Sequence, residues 1–243
     1  MKGIILAGGS ATRLRPLTKI TSKQLLPVYD KPMIYYPIET LTKAGINDIL
    51  IIIAPEYAGH FLNLLGSGKD FGCRFTYEIQ DKPKGLADAF LVGENFIAGD
   101  SVAMILGDNI FDENFSSIVT NFKTGGHVFA KKVHDPQRYG VIEFDKDHNV
   151  LSIVEKPQNP KSEYAMVGLY ILDQRASEFA KKVKPSARGE IEIPDVINQY
   201  LEKGELKVST LVGIWEDAGT FDSLLRANNY WAQKAKLSQN QKT

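Results

Sequence analysis

The stretch Lys2-Gly3-Ile4-Ile5-Leu6-Ala7-Gly8-Gly9 decides how the rest of the chain reads. Its apolar run shows no polar alternation, the pattern of a strand buried on both faces, as in a parallel sheet. Two further runs of this kind follow, Ile49–Ala54 (ILIIIA) and Val102–Leu106. Between them the sequence predicts a helix over about Met33–Ala44, stopped by Gly45, and a second over Glu56–Leu65. Phe75–Ile79 reads as a strand and Lys84–Phe96 as a helix. This β-α-β-α-β-α-β order predicts an α/β protein with a doubly wound, mostly parallel sheet and right-handed crossovers.

Beyond about residue 125 the pattern changes. His127–Val133, Gly140–Phe144, Val150–Val154 and Ala165–Leu172 read as short strands, with a turn at Asp145-Lys146-Asp147-His148-Asn149. They predict an antiparallel extension of the same sheet. Helices are expected over Asp173–Val183 and Pro194–Lys203, a strand over Leu206–Val212 and a helix from Phe221, with a polar tail fraying after about Ala235. No Ser/Gly/Pro-rich linker divides the chain, so residues 1–243 are expected to form a single domain.

Composition excludes several classes. Of 243 residues, 43% are hydrophobic and 24% charged, which excludes disorder, collagen-like repeats and coiled coil as the main architecture. Twenty-nine Lys+Arg balance 29 Asp+Glu, so no basic excess points to a nucleic-acid polymer as partner. The single cysteine, Cys73, leaves no intramolecular disulfide, and the four histidines lack metal-ligand spacing. No run approaches the ~18 apolar residues of a membrane helix. The chain reads as cytoplasmic with no membrane partner.

Gly8 and Gly9 close the first strand, where open α/β sheets bind ligands. Glycines there let backbone N–H groups approach a phosphate, and Arg13 and Arg15 add positive charge. Two phosphate motifs fail. A dinucleotide fingerprint needs glycine where Ser10 and Arg13 stand, and a P-loop needs Gly-Lys-Ser/Thr at residues 13–15, which read Arg-Leu-Arg. A plain tight turn with solvated arginines fits Gly-Gly equally well. Lys23, ten residues after Arg13, suits the same phosphates but taken alone reads as a surface lysine. Asp108, at the end of a buried strand, suits Mg²⁺, a hard cation preferring oxygen, although an isolated aspartate there is as often a turn or cap residue.

Gly-Gly-Ser-Ala-Thr-Arg-Leu-Arg-Pro-Leu-Thr from Gly8, followed by Lys23-Gln24-Leu25-Leu26-Pro27, resembles the signature of the sugar-nucleotide pyrophosphorylases, or nucleotidyltransferases. Gln80–Ala89 resembles that family's base-binding loop, Glu155-Lys156-Pro157 and Val167–Tyr170 its sugar-phosphate pocket, and Trp215–Thr220 the segment with a second metal carboxylate. The resemblance spans about residues 2–230. It implies a Rossmann-like sheet of the nucleotide-diphospho-sugar transferase type, with a nucleotide-binding half to about residue 125 and a sugar-phosphate half over about 126–230. Ser22–Tyr36, Asp135–Val141 and Pro185–Glu192 resemble the subgroup that joins dTTP to glucose 1-phosphate.

By that resemblance Leu6, Gly8, Gly9, Ser10 and Thr12 bind the nucleotide, with Gln80, Pro83, Gly85 and Leu86 at the base. Gln80 is expected to offer the thymine edge one donor and one acceptor. Arg13, Lys23 and Lys156 are implied as catalytic cations, the first two on the triphosphate and Lys156 on the sugar phosphate. Asp108, also counted with the nucleotide site, and Asp217 are implied as Mg²⁺ ligands. Asn109, Tyr139, Gly140, Glu155, Lys156, Val167 and Trp215 are implied at the sugar. The resemblance further implies a homo-oligomer.

Other positions read as structure. Tyr35, Tyr36, Ile38 and Leu41 are expected in the core, Asp195 as a helix cap ahead of a sugar contact, and Lys131-Lys132 as a solvated strand end. The chain also departs from the family pattern. Ala11 stands where a second loop glycine is usual, which is harmless at negative φ and strained at positive φ. Pro194 replaces a frequent threonine, Glu216 stands where a neutral residue is common, and the C-terminal extension near a regulatory nucleotide site in longer members is not matched. Two alternatives stay open. One is a uridylyltransferase or a related enzyme on another sugar 1-phosphate. The other is a non-catalytic sugar-nucleotide binder, which would need a damaged site, whereas Asp108, Asp217, Arg13 and Lys23 are intact.

Overall fold

Alternation along the buried strands sets the layers. The computed structural model describes residues 1–9, 11–147 and 149–240. The first strand, β1 (Lys2–Ala7), is followed by a small hairpin, β2 (Pro27–Val28) and β3 (Lys31–Pro32), and by helix α1 (Tyr35–Lys43). Then come β4 (Asp48–Ile53), α2 (Ala58–Leu65), β5 (Arg74–Ile79), α3 (Asp88–Val92), α4 (Glu94–Ile97) and β6 (Val102–Leu106). Strands β6, β1, β4 and β5 lie side by side in that order, all parallel, the doubly wound core expected from the sequence.

Ile5, Ile51 and Ile105 face α1 and α2 on one side of this sheet. Ile4, Leu6, Leu50, Ile52 and Met104 face the opposite side. Because both faces are covered, neither set of alternating positions tolerates polar residues, which is why the strands read as unbroken apolar runs.

The remainder continues the sheet. β7 (Asn109–Asp112), α5 (Ser116–Asn121), β8 (Gly126–Lys132), β9 (Gly140–Phe144), β10 (Val150–Glu155) and β11 (Tyr164–Leu172) follow in order. β11 joins the core antiparallel to β6, and β8, β9 and β10 extend it. One edge of β11 carries β8. The other is shared, with β9 against Ala165–Met166 and β6 against Leu169–Leu172. The strands part at Val167 and Gly168, and this gap opens beside the carboxyl ends of β1 and β6. The chain ends with α6 (Ala176–Lys182), α7 (Ile193–Glu202), β12 (Leu206–Thr210), β13 (Ile214–Asp217) and α8 (Phe221–Asn240). α6 and α7 pack with α3 on the face opposite α1.

Several expectations change. The helix expected from Lys84 starts at Asp88 and breaks at Gly93. Residues 84–87 are held instead by Ile191, whose N–H donates to Lys84 O at 2.7 Å and whose carbonyl accepts from Ala87 N at 3.2 Å. The tail expected to fray runs on as α8 to Asn240, where Lys236, Leu237 and Gln239 are good helix formers and Ser238 Oγ bonds Lys234 O at 3.0 Å. Of the pair Lys131-Lys132, Lys132 is exposed as expected, but Lys131 is half-buried. Its ammonium donates to the carbonyls of Leu211, Val212 and Gly213 at 2.9–3.2 Å and pins that loop to β8. Asp195 is exposed inside the first turn of α7 and caps nothing. Of the expected turn at 145–149, His148 lies outside the described residues. Asp145 Oδ1 accepts from the N–H groups of Asp147 and Asn149, both at 2.8 Å. Among the described residues no helix is long and apolar enough to cross a membrane.

Candidate active site

A cavity of about 600 Å³ lies across the carboxyl ends of β1 and β6 and the mouth of the antiparallel extension. Gly8, Gly9, Thr12, Arg13 and Lys23 line one end, after β1 delivers the chain there. Ser10 lies outside the described residues. Arg13 sits on a single turn, Thr12–Leu14, anchored by fully buried Leu14. The turn is entered through Ala11 at φ 49 and ψ 35, the left-handed region, so the strained case holds for this alanine. Lys23 sits on the next turn but one, Lys23–Leu25, fixed by buried Gln24, whose Oε1 accepts from Ser22 Oγ at 2.5 Å.

Two carboxylates occupy the centre. Asp108 follows β6. Asp217 comes from 109 residues further on, brought in by a two-stranded sheet that periodicity does not reveal. β7 and β13 pair antiparallel with Asp217 opposite Asn109, and Ala218 N donates to Asp108 O at 2.9 Å. The Asp108 and Asp217 carboxyls stand close enough for the charge of one to act on the other. Burial alone would raise Asp108, but the ammonium of Lys23 on its Oδ2 outweighs that and holds it below the usual carboxylate range. Asp217 is pushed up to about 6, first by burial and then by the charge of Asp108, with Lys23 and Arg13 offsetting part of the rise. Gly219 leaves room for this group, since a Cβ there would stand 2.8 Å from Arg13 Nη2 and 2.9 Å from Asp217 Oδ1. Glu216, next in line, turns away and forms two bonds of 2.9 Å with Arg226 on α8.

The far end is built on β9 and β10. Gly140 pairs with Glu155 in register, and a Cβ on it would come within 3.4 Å of Glu155 Oε2. Glu155 Oε1 lies 3.2 Å from Lys156 Nζ and 3.4 Å from Arg188 Nη2. Lys156 takes a left-handed backbone, φ 42, tied by its N–H to Tyr139 O at 2.9 Å. Tyr139 stacks edge-on against Trp215, with centroids 5.3 Å apart. Asn109 is 2% exposed, and its Oδ1 accepts from Trp215 Nε1 at 2.6 Å and Gly168 N at 3.0 Å. Its Nδ2 donates to Asp108 Oδ1 at 3.2 Å. Its polar atoms are therefore occupied in holding the acidic pair and the gap in β11.

Leu6, Gln80, Pro83, Gly85 and Leu86 line the flank between the two ends. Gly85 needs to be glycine twice over: its φ is +99, and a Cβ would overlap Ile191 O at 2.4 Å. Gln80 Nε2 is committed to Asp88 Oδ2 at 2.7 Å, so this amide faces the cavity with its acceptor and not with both groups.

One expected residue falls elsewhere. Val167 does not line the cavity; its side chain packs in the core beneath α1 and α2. The two-residue period of β11 is the reason, because it turns Met166, Gly168 and Tyr170 to the cavity instead. Sequence reasoning also missed Gln24, Arg138, Glu190, Glu192 and Ile193 in the wall. Arg138 and Glu190 lie inside the Asp135–Val141 and Pro185–Glu192 segments already singled out, so the segments were visible and the facing side chains were not.

Two adjacent carboxylates, a cationic glycine turn and a second cationic end in one cavity define a site for phosphorylated ligands on an α/β nucleotide-binding sheet. The chain belongs to the nucleotidyl transferase family, whose model matches residues 2–234. It is 55% identical over 236 residues to a glucose-1-phosphate thymidylyltransferase of Neisseria gonorrhoeae, an alignment covering 95% of this chain and 82% of that protein. A protein of the same name from Mycolicibacterium smegmatis is 52% identical over 235 residues, covering 95% and 82%. Among solved structures, UDP-glucose pyrophosphorylase complexed with UDP-glucose aligns with a TM-score of 0.83 at 27% identity, covering 96% of this chain and 98% of that one.

Proposed function

We propose that this protein makes dTDP-glucose and pyrophosphate from dTTP and α-D-glucose 1-phosphate. One observation carries the reading: a single cavity has Arg13 and Lys23 at one end, Lys156 and Glu155 at the other, and Asp108 with Asp217 between. That order matches a triphosphate meeting a sugar phosphate at its α-phosphorus. The relatives' names supply the substrate pair.

In-line displacement at phosphorus needs positioning and charge stabilisation more than a protein nucleophile. Gly8, Gly9 and Thr12 seat the triphosphate against the end of β1. Arg13 and Lys23 neutralise it and follow the charge onto departing pyrophosphate. Lys156 holds the sugar phosphate so that its oxygen faces the α-phosphorus, while Gly140 and Glu155 orient the sugar. Gln80, Pro83, Gly85 and Leu86 hold the base. Asn109 keeps Asp108 aimed. The stretch to about residue 125 serves the nucleotide and that over 126–230 the sugar phosphate.

The acidic pair fits a divalent cation such as Mg²⁺. Among the described residues no group of three Asp, Glu, His or Cys is placed to cage one, so Asp108 and Asp217 would hold it together with substrate and water oxygens, a donor set natural for Mg²⁺. Two carboxylates on one buried patch, where burial and then the charge of Asp108 lift Asp217 to about 6, favour a cation between them. When bound, the ion supplies charge stabilisation at the phosphates. We further propose a cytoplasmic homo-oligomer.

The test is pyrophosphate release over a panel of nucleotides and sugar 1-phosphates. The expected optimum is dTTP with glucose 1-phosphate, lost in excess chelator. No release with that pair in the presence of Mg²⁺ would refute the reading.

A further inference from the structure

We propose that Asp88 is a specificity-determining positioning residue: it fixes which end of the Gln80 amide faces the cavity, so the site selects a base with an N–H donor between two carbonyls. The inference rests on the nucleotide reading above, in which the base lies against Gln80. Thymine and uracil carry that donor at N3. Cytosine has a bare acceptor there.

Gln80 lines the cavity and is 6% exposed, whereas Asp88, the first residue of α3, is 7% exposed and stands behind it, outside the cavity wall. Gln80 Nε2 donates to Asp88 Oδ2 at 2.7 Å. A carboxylate only accepts, so the amino end of the amide has to face it. The backbone is fixed as well, with Gln80 N donating to Ile53 O at 2.9 Å. The carbonyl end then points toward Gly8, where Oε1 lies 3.1 Å from the position a Cβ would take. A glutamine without this partner reads donors and acceptors alike, because its amide turns over at small cost. Here turning it would set Oε1 against a buried carboxylate and leave two acceptors facing each other, which a buried site does not tolerate. Asp88 therefore ties back the amino end of Gln80 and turns its carbonyl oxygen to the cavity. It touches no substrate and acts through Gln80.

Asp88→Asn tests this, because an asparagine presents either an oxygen or an amino group and removes the selection while keeping the shape. Asp88→Ser, whose hydroxyl donates or accepts, is measured beside it in case the first variant melts early. The readout is kcat/KM for dTTP and for dCTP with glucose 1-phosphate. Wild type is expected to prefer dTTP strongly, and the dTTP/dCTP ratio is expected to fall about tenfold or more in both variants, mainly through gain on dCTP. A merely structural role would lower both substrates together and leave the ratio unchanged; that result overturns the proposal. Wild type failing on dTTP would instead overturn the nucleotide reading on which it rests.

Discussion

Replacing Asp217 by asparagine should stabilise the metal-free protein while destroying turnover. Asp217 is lifted from 3.8 to about 6, chiefly by burial and by Asp108 beside it. Its folded pKa lies above the unfolded one, so the folded state holds the extra proton between about pH 4 and pH 6. Wild-type stability therefore falls as pH rises through that window, and the penalty is fully present above it. Two pKa units correspond to ~3 kcal/mol. Asp217 keeps a partly exposed face on the cavity, so water screens some of the repulsion and a gain of about 2 kcal/mol is the expectation for Asp217→Asn at pH 7.5. For a chain of this size that is a rise of roughly 4–8 °C in Tm. Calorimetric melts of both proteins in chelator, at pH 7.5 and pH 4, measure it. The advantage should shrink to a small remainder at pH 4, where the folded state carries the proton and the unfolded state carries it in part. No gain at pH 7.5, or an equal gain at both, would refute the reasoning.

Lys156→Ala should raise KM for sugar 1-phosphate while leaving dTTP affinity by calorimetry near wild type; an affinity loss matching that of Arg13→Ala would place Lys156 in the wrong end of the cavity. Ala11→Gly should release left-handed strain of about 1 kcal/mol and raise Tm by roughly 2–4 °C; a lowered Tm would show that the loop conformation at φ 49 is not the working one. UTP should be a poorer substrate than dTTP, since it adds a ribose hydroxyl and lacks a methyl worth about 1–3 kcal/mol, and purine triphosphates should fail, judged by kcat/KM with glucose 1-phosphate. Equal use of dATP would exclude a pocket built for a pyrimidine.

The parallel core was legible because Lys2–Ala7, Ile49–Ala54 and Val102–Leu106 bury both faces and leave no room for polar alternation. The turn after β1 was legible from Gly8, Gly9 and Arg13, which line the cavity, although Arg15 does not, and Asp108 from its place after a buried strand. Less local features were hidden. β7 and β13 are four residues each, and their pairing partners lie 102 residues apart at Asp112 and Ile214, and farther at the other pairs, so no window of sequence contains the sheet that joins Asp108 to Asp217. The start of α3 was hidden because Lys84–Ala87 answers to Ile191, a partner far along the chain. Val167 was placed at the sugar by resemblance, although the two-residue period through Met166, Gly168 and Tyr170 already excludes its side chain from that face. Gln80 was visible as a candidate cavity residue, but its orientation depends on Asp88, and only the folded chain sets the two side by side.

The bond that breaks is the most direct test. The enzyme is incubated with Mg²⁺, glucose 1-phosphate and dTTP carrying radiolabelled phosphate at either the α or the γ position, and products are separated. The account predicts α-label in dTDP-glucose and γ-label in pyrophosphate. Label from the γ position in free phosphate or in a sugar bisphosphate would mean attack at a different phosphorus and would contradict it.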